Sequence, residues 1–455
     1  MFSPLRDRTY RHLFAAQVLS LAGSGLTTIA LALLAYDLAG SEAGAVLGTA
    51  LAIKMVAYVA IAPVVGSYAH RLPRRTLLIA LDLVRAGVVL AFPLVTQVWQ
   101  VYLLILLLQA ASAAFTPTFQ ATIPDVLSDE ERYTQALSLS RLAYDLENLL
   151  SPILAALLLA ALNHGWLFAG NALGFLGSAL LVASVILPGP QPAPRPRGVL
   201  ANIGHGSRIY LKTPRLRGLL ALNLAVAAAG ATVIVNTVVL VRDVMGGTEV
   251  GVAWAMAAFG GGSMLAAAML PRLLGRAAER PVMLGGGVLV ALGLMSGPLP
   301  STLAGLLPVW FLLGAGSSFV QTPAGRLLRR SSHEGDRPAL FSAQFALSHV
   351  CWLFTYPLAG WLGAGAGLDS GFMVLAVLAG LSTLAAALLW PARDPVEIGH
   401  VHTPLGHEHL HVHDEHHQHE GWEGPEPHSH SHRHGPLRHR HAFMIDLHHD
   451  GWPIR

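Results

Sequence analysis

Leu13–Leu34, LFAAQVLSLAGSGLTTIALALL, runs for 22 residues without a charged side chain. A helix needs about 20 mostly apolar residues to cross the hydrocarbon layer of a bilayer. The run is too long for a signal-peptide core and lacks a convincing cleavage site, so it is expected to be a first membrane span. Comparable runs follow along the chain. They place spans at 12–36, 44–69, 76–96, 99–123, 134–162 and 165–187, and then at 217–241, 249–271, 281–299, 302–324, 338–365 and 369–391. Open backbone cannot face lipid, which leaves helices or a closed barrel. Barrel strands would be shorter and would alternate in polarity, and these runs do neither. The expected fold class is an all-α membrane protein with twelve transmembrane helices.

Composition agrees. Of the 455 residues 53% are hydrophobic and 12% charged, against roughly 25% charged in soluble domains. The single cysteine, Cys351, lies in an apolar segment, which excludes an internal disulfide and argues against thiolate metal chemistry. A net charge of +3 is too small to suggest nucleic acid once the loop arginines are explained by topology.

Those arginines sort by loop. One side of the membrane receives Arg6, Arg8 and Arg11, then Arg71, Arg74 and Arg75, Arg195 to Arg217, Arg272, Arg276 and Arg280, and Arg326 to Arg337. The other side is nearly free of them, with Arg242 the main exception. Positive loops stay in the cytoplasm, so both termini are expected there. Arginine outnumbers lysine 27 to 2, which suits a GC-rich bacterial genome and hence a bacterial inner membrane.

The longest break divides the spans six and six. It opens on Pro188-Gly-Pro-Gln-Pro-Ala-Pro-Arg-Pro, an extended and exposed composition, and ends in a basic stretch, Arg208 to Arg217, expected at the membrane surface. The resulting organisation is a six-helix half over 1–187, a cytoplasmic linker over 188–216, a second half over 217–391 and a tail over 392–455. Two such halves suggest an internally repeated transporter with its substrate near the midplane.

The tail holds 17 of the 23 histidines between His400 and His449, among prolines, glycines and acidic residues. It is too polar to bury a core and is expected to be disordered without a ligand. His407, His409, His411 and His413, and again His428, His430, His432 and His434, repeat with period two. In an extended chain that spacing sets imidazoles on one side about 6–7 Å apart. Neutral imidazole suits Ni²⁺, Co²⁺ and Zn²⁺, with nearby carboxylates as oxygen donors. A purification tag would be an uninterrupted run, whereas this one is interleaved, so metal binding is the favoured reading.

Within the spans, charges are costly and mark function or pairing. Span five carries Arg141, Tyr144, Asp145, Glu147 and Asn148. Arg141, Tyr144, Asp145 and Asn148 share a helical face, while Glu147 lies about 200° around from Asp145. Asp145 is either half of an i, i+4 ion pair with Arg141 or, like Glu147, a cation or proton site. Asp82 and Arg85 in span three read as a conformational charge pair. Lys54 in span two needs a carboxylate partner or water, with Asp145 and Asp82 as candidates. His349 in span eleven is the one histidine deep in an apolar run, a metal ligand or a hydrogen-bonded core residue. Gln344 lies beside it. Gln17 and Ser20 in span one and Gln109 in span four belong to polar stripes that either line a cavity or join helices. The Gly-x-x-x-x-Gly-Lys-Ser/Thr pattern for nucleotide phosphates is missing, as is any nucleophile constellation, so neither ATP hydrolysis nor an enzyme is expected.

Gly66-Ser-Tyr-Ala-His-Arg-Leu-Pro-Arg-Arg75, between spans two and three, resembles the signature loop of the major facilitator superfamily, with His70 in place of the usual Asp and Pro73 in place of Gly. Asp82-x-x-Arg85 and Ser138-Leu-Ser-Arg141 are similar to the branch that holds siderophore and macrolide exporters. Span five around Glu147-Asn-Leu-Leu-Ser-Pro152, together with the histidine-rich tail, resembles NreB-type nickel-resistance exporters. The resemblance implies the major facilitator fold and a central cavity lined by Gln17, Ser20, Gln109, Asn148, Gln344 and His349. It implies proton coupling and gating through Asp145, Glu147, Asp82, Arg85, Arg141 and Arg71. Metal ligands are expected at Asp145, Glu147 and His349, and at the eight period-two tail histidines. The expected activity is proton-driven export of a divalent transition-metal cation. Ni²⁺ follows from the resemblance, since the residues alone admit Co²⁺ and Zn²⁺. Neither a cofactor nor an obligatory protein partner is expected. Two alternatives stand: an exporter of an organic compound with a metal-sensing tail, and a metal receptor or buffer that does not transport.

Overall fold

The structure is a computed structural model that describes residues 2–39, 43–68, 72–159, 163, 165–189, 199–394, 397–402, 405–411, 428–434, 437–442, 444–445 and 452. Apolar runs form long helices throughout: α1 (Arg8–Ala39), α2 (Ala43–Tyr68), α3 (Arg74–Ala91), α4 (Val98–Val126), α5 (Glu130–Leu159) and α6 (Gly165–Ala183). Next come the short α7 (Val199–Lys212), then α8 (Pro214–Val239), α9 (Glu249–Leu274), α10 (Glu279–Met295) and α11 (Leu303–Gln321). A seven-residue α12 (Ala324–Arg330), α13 (Arg337–Gly365) and α14 (Leu368–Leu389) complete the helical part. Among the described residues, eight helices are long and apolar enough to cross a membrane. Large hydrophobic side chains such as Leu173, Leu180, Trp361 and Leu388 point outward, as a lipid-facing surface requires.

Helix starts and stops have local causes. Gln97 and Gln100 cap α4 reciprocally, and the Thr302 side chain accepts from the Gly305 N–H to cap α11. Pro214 opens α8 at a position where a missing N–H costs nothing. Small residues let helices touch: a Cβ on Gly314 would sit 1.9 Å from the Phe259 carbonyl oxygen, so α9 and α11 pack backbone to backbone. α1 to α6 pack mainly among themselves, as do α8 to α11 with α13 and α14, and the two groups meet where α2 abuts α13 and α5 abuts α9.

The tail is described in part. Its described residues form four strands, β1 (Glu397–His402), β2 (Leu405–His411), β3 (His428–His434) and β4 (Leu437–Ala442). β1 pairs antiparallel with β4, and β2 with β3. Alternation of histidine with other residues is a strand period as well as a polar composition, and two such runs can satisfy each other's backbone. His413 lies outside the described residues.

Candidate functional site: a central cavity and an arginine gate

A cavity of about 640 Å³ lies between the two helix groups. Gln17 and Ser20 of α1, Ser112, Thr116 and Gln120 of α4, and Gln344 and His349 of α13 line it. So do Lys54, Tyr58, Arg141, Tyr144 and Glu147. Gln109 is not among its lining residues, because the stripe of α4 turns toward the cavity only from Ser112 onward. The backbone of Asn148 belongs to α5, while its side chain lies outside the described residues. Arg71 is likewise outside them.

His349 is held by its own helix. Its Nδ1 lies 2.7 Å from the Phe345 carbonyl oxygen, which can only accept, so Nδ1 carries a proton. A neutral ring then keeps its lone pair on Nε2, the arrangement that suits a ligand. The Tyr58 ring meets the imidazole edge-on at 4.7 Å, and Lys54 Nζ stands 5.6 Å from the centre of the same Tyr58 ring. This stack joins α2 to α13 in the cavity wall. Glu147 is seated by a close approach of α1: a Cβ on Gly25 would fall 2.8 Å from its Oε1 and 1.9 Å from Ser151 Oγ. Lys54 interacts electrostatically with Glu147 and with His349. Asp145 and Asp82, the partners considered for Lys54, are each occupied by an arginine instead.

Asp145 pairs with Arg141 at 3.2 Å and does not line the cavity. Glu147 and His349 do, so the three residues grouped as metal ligands are not brought together. Among the described residues no group of three histidine, cysteine, aspartate or glutamate side chains could hold a metal ion. The helix explains the split, since residues 145 and 147 project on opposing sides of α5. Arg141 reaches across the groups as well: Nε donates to Ser263 Oγ of α9 at 2.8 Å and Nη1 to Gln321 Oε1 of α11 at 2.5 Å. Asp82 and Arg85 pair deep in the first group. Ser178 donates to Asp82 at 2.8 Å, and the guanidinium lies between the rings of Phe115 and Phe175 at 3.9 and 4.3 Å.

A second constellation closes the arginine-rich end of the bundle. Asp125, late in α4, accepts from Arg74 of α3 and from Arg337 of α13, all three largely buried. Arg326 of α12 donates to Thr134 Oγ1 at 2.7 Å, to Glu130 of α5, and to Glu279 of α10 at 3.0 Å. Arg329 donates to the Ser128 carbonyl and lies 5.4 Å from the Tyr133 ring. His205 of α7 meets Asp336 at 2.9 Å, tying the helix between the groups to the start of α13. Sequence reading used Arg326 and Arg337 only for topology and passed over Asp125, because all three sit at helix ends, where charge is ordinary. The signal available was a carboxylate facing clustered arginines in loops on one side.

Two helix groups around a cavity, closed at one end by ion pairs, can be compared with known proteins. The profile of the Major Facilitator Superfamily matches residues 13–248 and 220–422. The chain belongs to that superfamily. Superfamily members are transporters, and no catalytic family is indicated. An uncharacterized MFS-type transporter, YfiS of Bacillus subtilis strain 168, is 27% identical over 393 residues, covering 82% of this chain and 91% of that protein. Macrolide efflux protein A of Streptococcus pyogenes is 26% identical over 181 residues, 39% of this chain and 44% of that protein. Among solved structures, the human organic anion transporter MFSD10 superposes with a TM-score of 0.72 at 13% identity, over 83% of this chain and 99% of its own. A bacterial homologue of the iron transporter ferroportin, in an outward-facing state, gives a TM-score of 0.70 at 14% identity over 84% and 98%. The protein is therefore a multi-pass membrane transporter of the MFS type.

Proposed function

We propose that this transporter is a proton-driven secondary exporter of a divalent transition-metal cation, Ni²⁺ foremost, from the bacterial cytoplasm. The observation that carries the reading is that Glu147 and His349 both line one cavity between the helix groups. A carboxylate and an imidazole nitrogen form a donor pair suited to Ni²⁺, Co²⁺ or Zn²⁺. Protonation of Glu147 removes the charge that holds the cation, and this couples ion release to proton entry. Lys54 supplies the counter-charge to Glu147 when the cavity holds no ion. Asp145, engaged by Arg141, positions α5 against α9 and α11 rather than binding cargo. Alternating access runs between two six-span halves, with both termini cytoplasmic. In that orientation the closed arginine end faces the cytoplasm, the cavity faces outward, and the tail gathers cytoplasmic metal beside the entrance.

A second reading is favoured by a specific observation. A cavity of about 640 Å³ with Tyr58, Phe115, Tyr144, Phe345 and Trp352 along its wall suits a drug-sized organic molecule. The kinship with macrolide efflux proteins points the same way. Cell-associated nickel, cobalt and zinc, measured by mass spectrometry in a metal-sensitive bacterium with and without the gene, separate the two. Lower nickel at unchanged cobalt and zinc supports the nickel exporter. Unchanged levels of all three metals with raised macrolide tolerance transfers the assignment to an organic cargo and leaves the tail a sensor.

A further inference from the structure

We propose that the metal is carried preferentially as an anionic complex, with the cation already held by a small carboxylate-bearing chelator; this rests on the reading of Glu147 and His349 as the pair that receives the metal. Two donors do not complete a coordination shell, since divalent transition metals take about four to six. Among the described residues no group of three such side chains is present to complete it. The remaining positions therefore belong to water or to a ligand that travels with the ion. Size favours the second. Six waters occupy about 180 Å³ at about 30 Å³ each. The cavity holds about 640 Å³, which leaves room for a small organic ligand.

The charge on the wall points to the character of that ligand. Among the described lining residues the charged ones are Lys54, Arg85, Arg141 and Glu147, three positive heads to one negative. The carboxylates that pair with the two arginines, Asp82 and Asp145, are not among the lining residues, and their side chains are 0% and 4% exposed. Each pair thus turns its cation to the cavity and keeps its anion in the protein. A bare dication is repelled by such a wall, and most strongly where water is excluded. An anionic complex is attracted to it.

Hydrogen-bonding capacity has the same sense. Arg141 has five N–H donors, of which Ser263, Gln321 and Asp145 engage three. Arg85 Nε, Asn223 Nδ2 and Tyr133 Oη belong to lining residues, are buried and have no hydrogen-bond partner. All three can donate. Carboxylate oxygens satisfy such donors, and a bare cation offers them nothing. Lys54 completes the wall conditionally. Its charge faces Glu147 while the cavity is empty, and a metal ion on Glu147 releases the ammonium to a carboxylate of the chelator.

The test uses the purified full chain in liposomes under a pH gradient, with radioactive nickel and carbon-labelled citrate as probes. The preformed nickel–citrate complex is expected to move with kcat/KM at least tenfold above that of Ni²⁺ alone, and the two labels are expected to cross in equal amounts. In Lys54→Gln the KM for the complex rises at least tenfold with a smaller change in kcat, and Lys54→Arg restores it. Nickel flux that citrate leaves unchanged or lowers overturns the chelate and leaves the metal exporter standing. An unchanged KM in Lys54→Gln likewise overturns the cationic wall as the chelator's site. Flux of neither Ni²⁺ nor its complex overturns both readings, and flux of citrate that does not require nickel does the same.

Discussion

Replacing Arg337 by glutamine isolates one inter-group bond of the gate. Arg337 and Asp125 are about 10% and 9% exposed, so their interaction is shielded from solvent and little screened by salt. Asp125 keeps Arg74 as a partner in the variant, because both belong to the first helix group and move together. The substitution therefore leaves no buried carboxylate unpaired and removes only what the closed gate gains from α13. A hydrogen bond to a charged group contributes about 1.5–3 kcal/mol. That corresponds to a shift of about 10- to 150-fold in the closed-to-open ratio. Spin labels at Glu131 and Arg276, exposed positions at the gate end of the two groups, report the opening in a Cys351→Ser background. The expected result is a single short distance in the parent protein and a second, longer population in Arg337→Gln. An unchanged distance distribution in a monodisperse, stable variant would refute the assignment of this bond to the gate.

Glu147→Gln preserves size and loses charge; cell-associated nickel is expected to rise to the level of cells without the gene, with the protein still in the membrane, and wild-type nickel levels would remove Glu147 from the transport step. Arg141→Gln breaks the bonds to Ser263 and Gln321 and the pair with Asp145 together, and at least a tenfold loss of transport rate is expected with a smaller loss of thermal stability. Gly314→Ala forces a methyl group against the Phe259 carbonyl, so a destabilisation of about 1–3 kcal/mol is expected as a lower thermal midpoint of the purified protein.

The all-helical membrane class was legible because lipid imposes one requirement on a span, an apolar run of fixed length; among the described residues eight of the expected twelve spans meet it as helices long and apolar enough to cross. The pair of Arg141 with Asp145 could be read as one of two outcomes from i, i+4 spacing, since neighbours on a helix are set by sequence alone. Glu147 and Asp145 could also be separated by angle before any tertiary contact was known. What the sequence could not yield were distances between helices: that Arg141 ends on Ser263 and Gln321, that Lys54 stands over Tyr58 beside His349, and that Asp125 takes two arginines. These depend on how two groups of helices dock, and no periodicity encodes that. The period-two repeats of the tail are compatible with strand pairing as well as with a polar composition that buries no core, so composition alone does not choose between them.

The proposed cargo of the cavity is a metal ion carried against protons. Purified transporter reconstituted in liposomes, given Ni²⁺ on one side and a pH gradient across the bilayer, tests it directly. Ni²⁺ flux is expected that depends on the gradient, dissipates it in return, and disappears in Glu147→Gln. A pH gradient that drives no Ni²⁺, in vesicles where the same protein moves a macrolide, would contradict it.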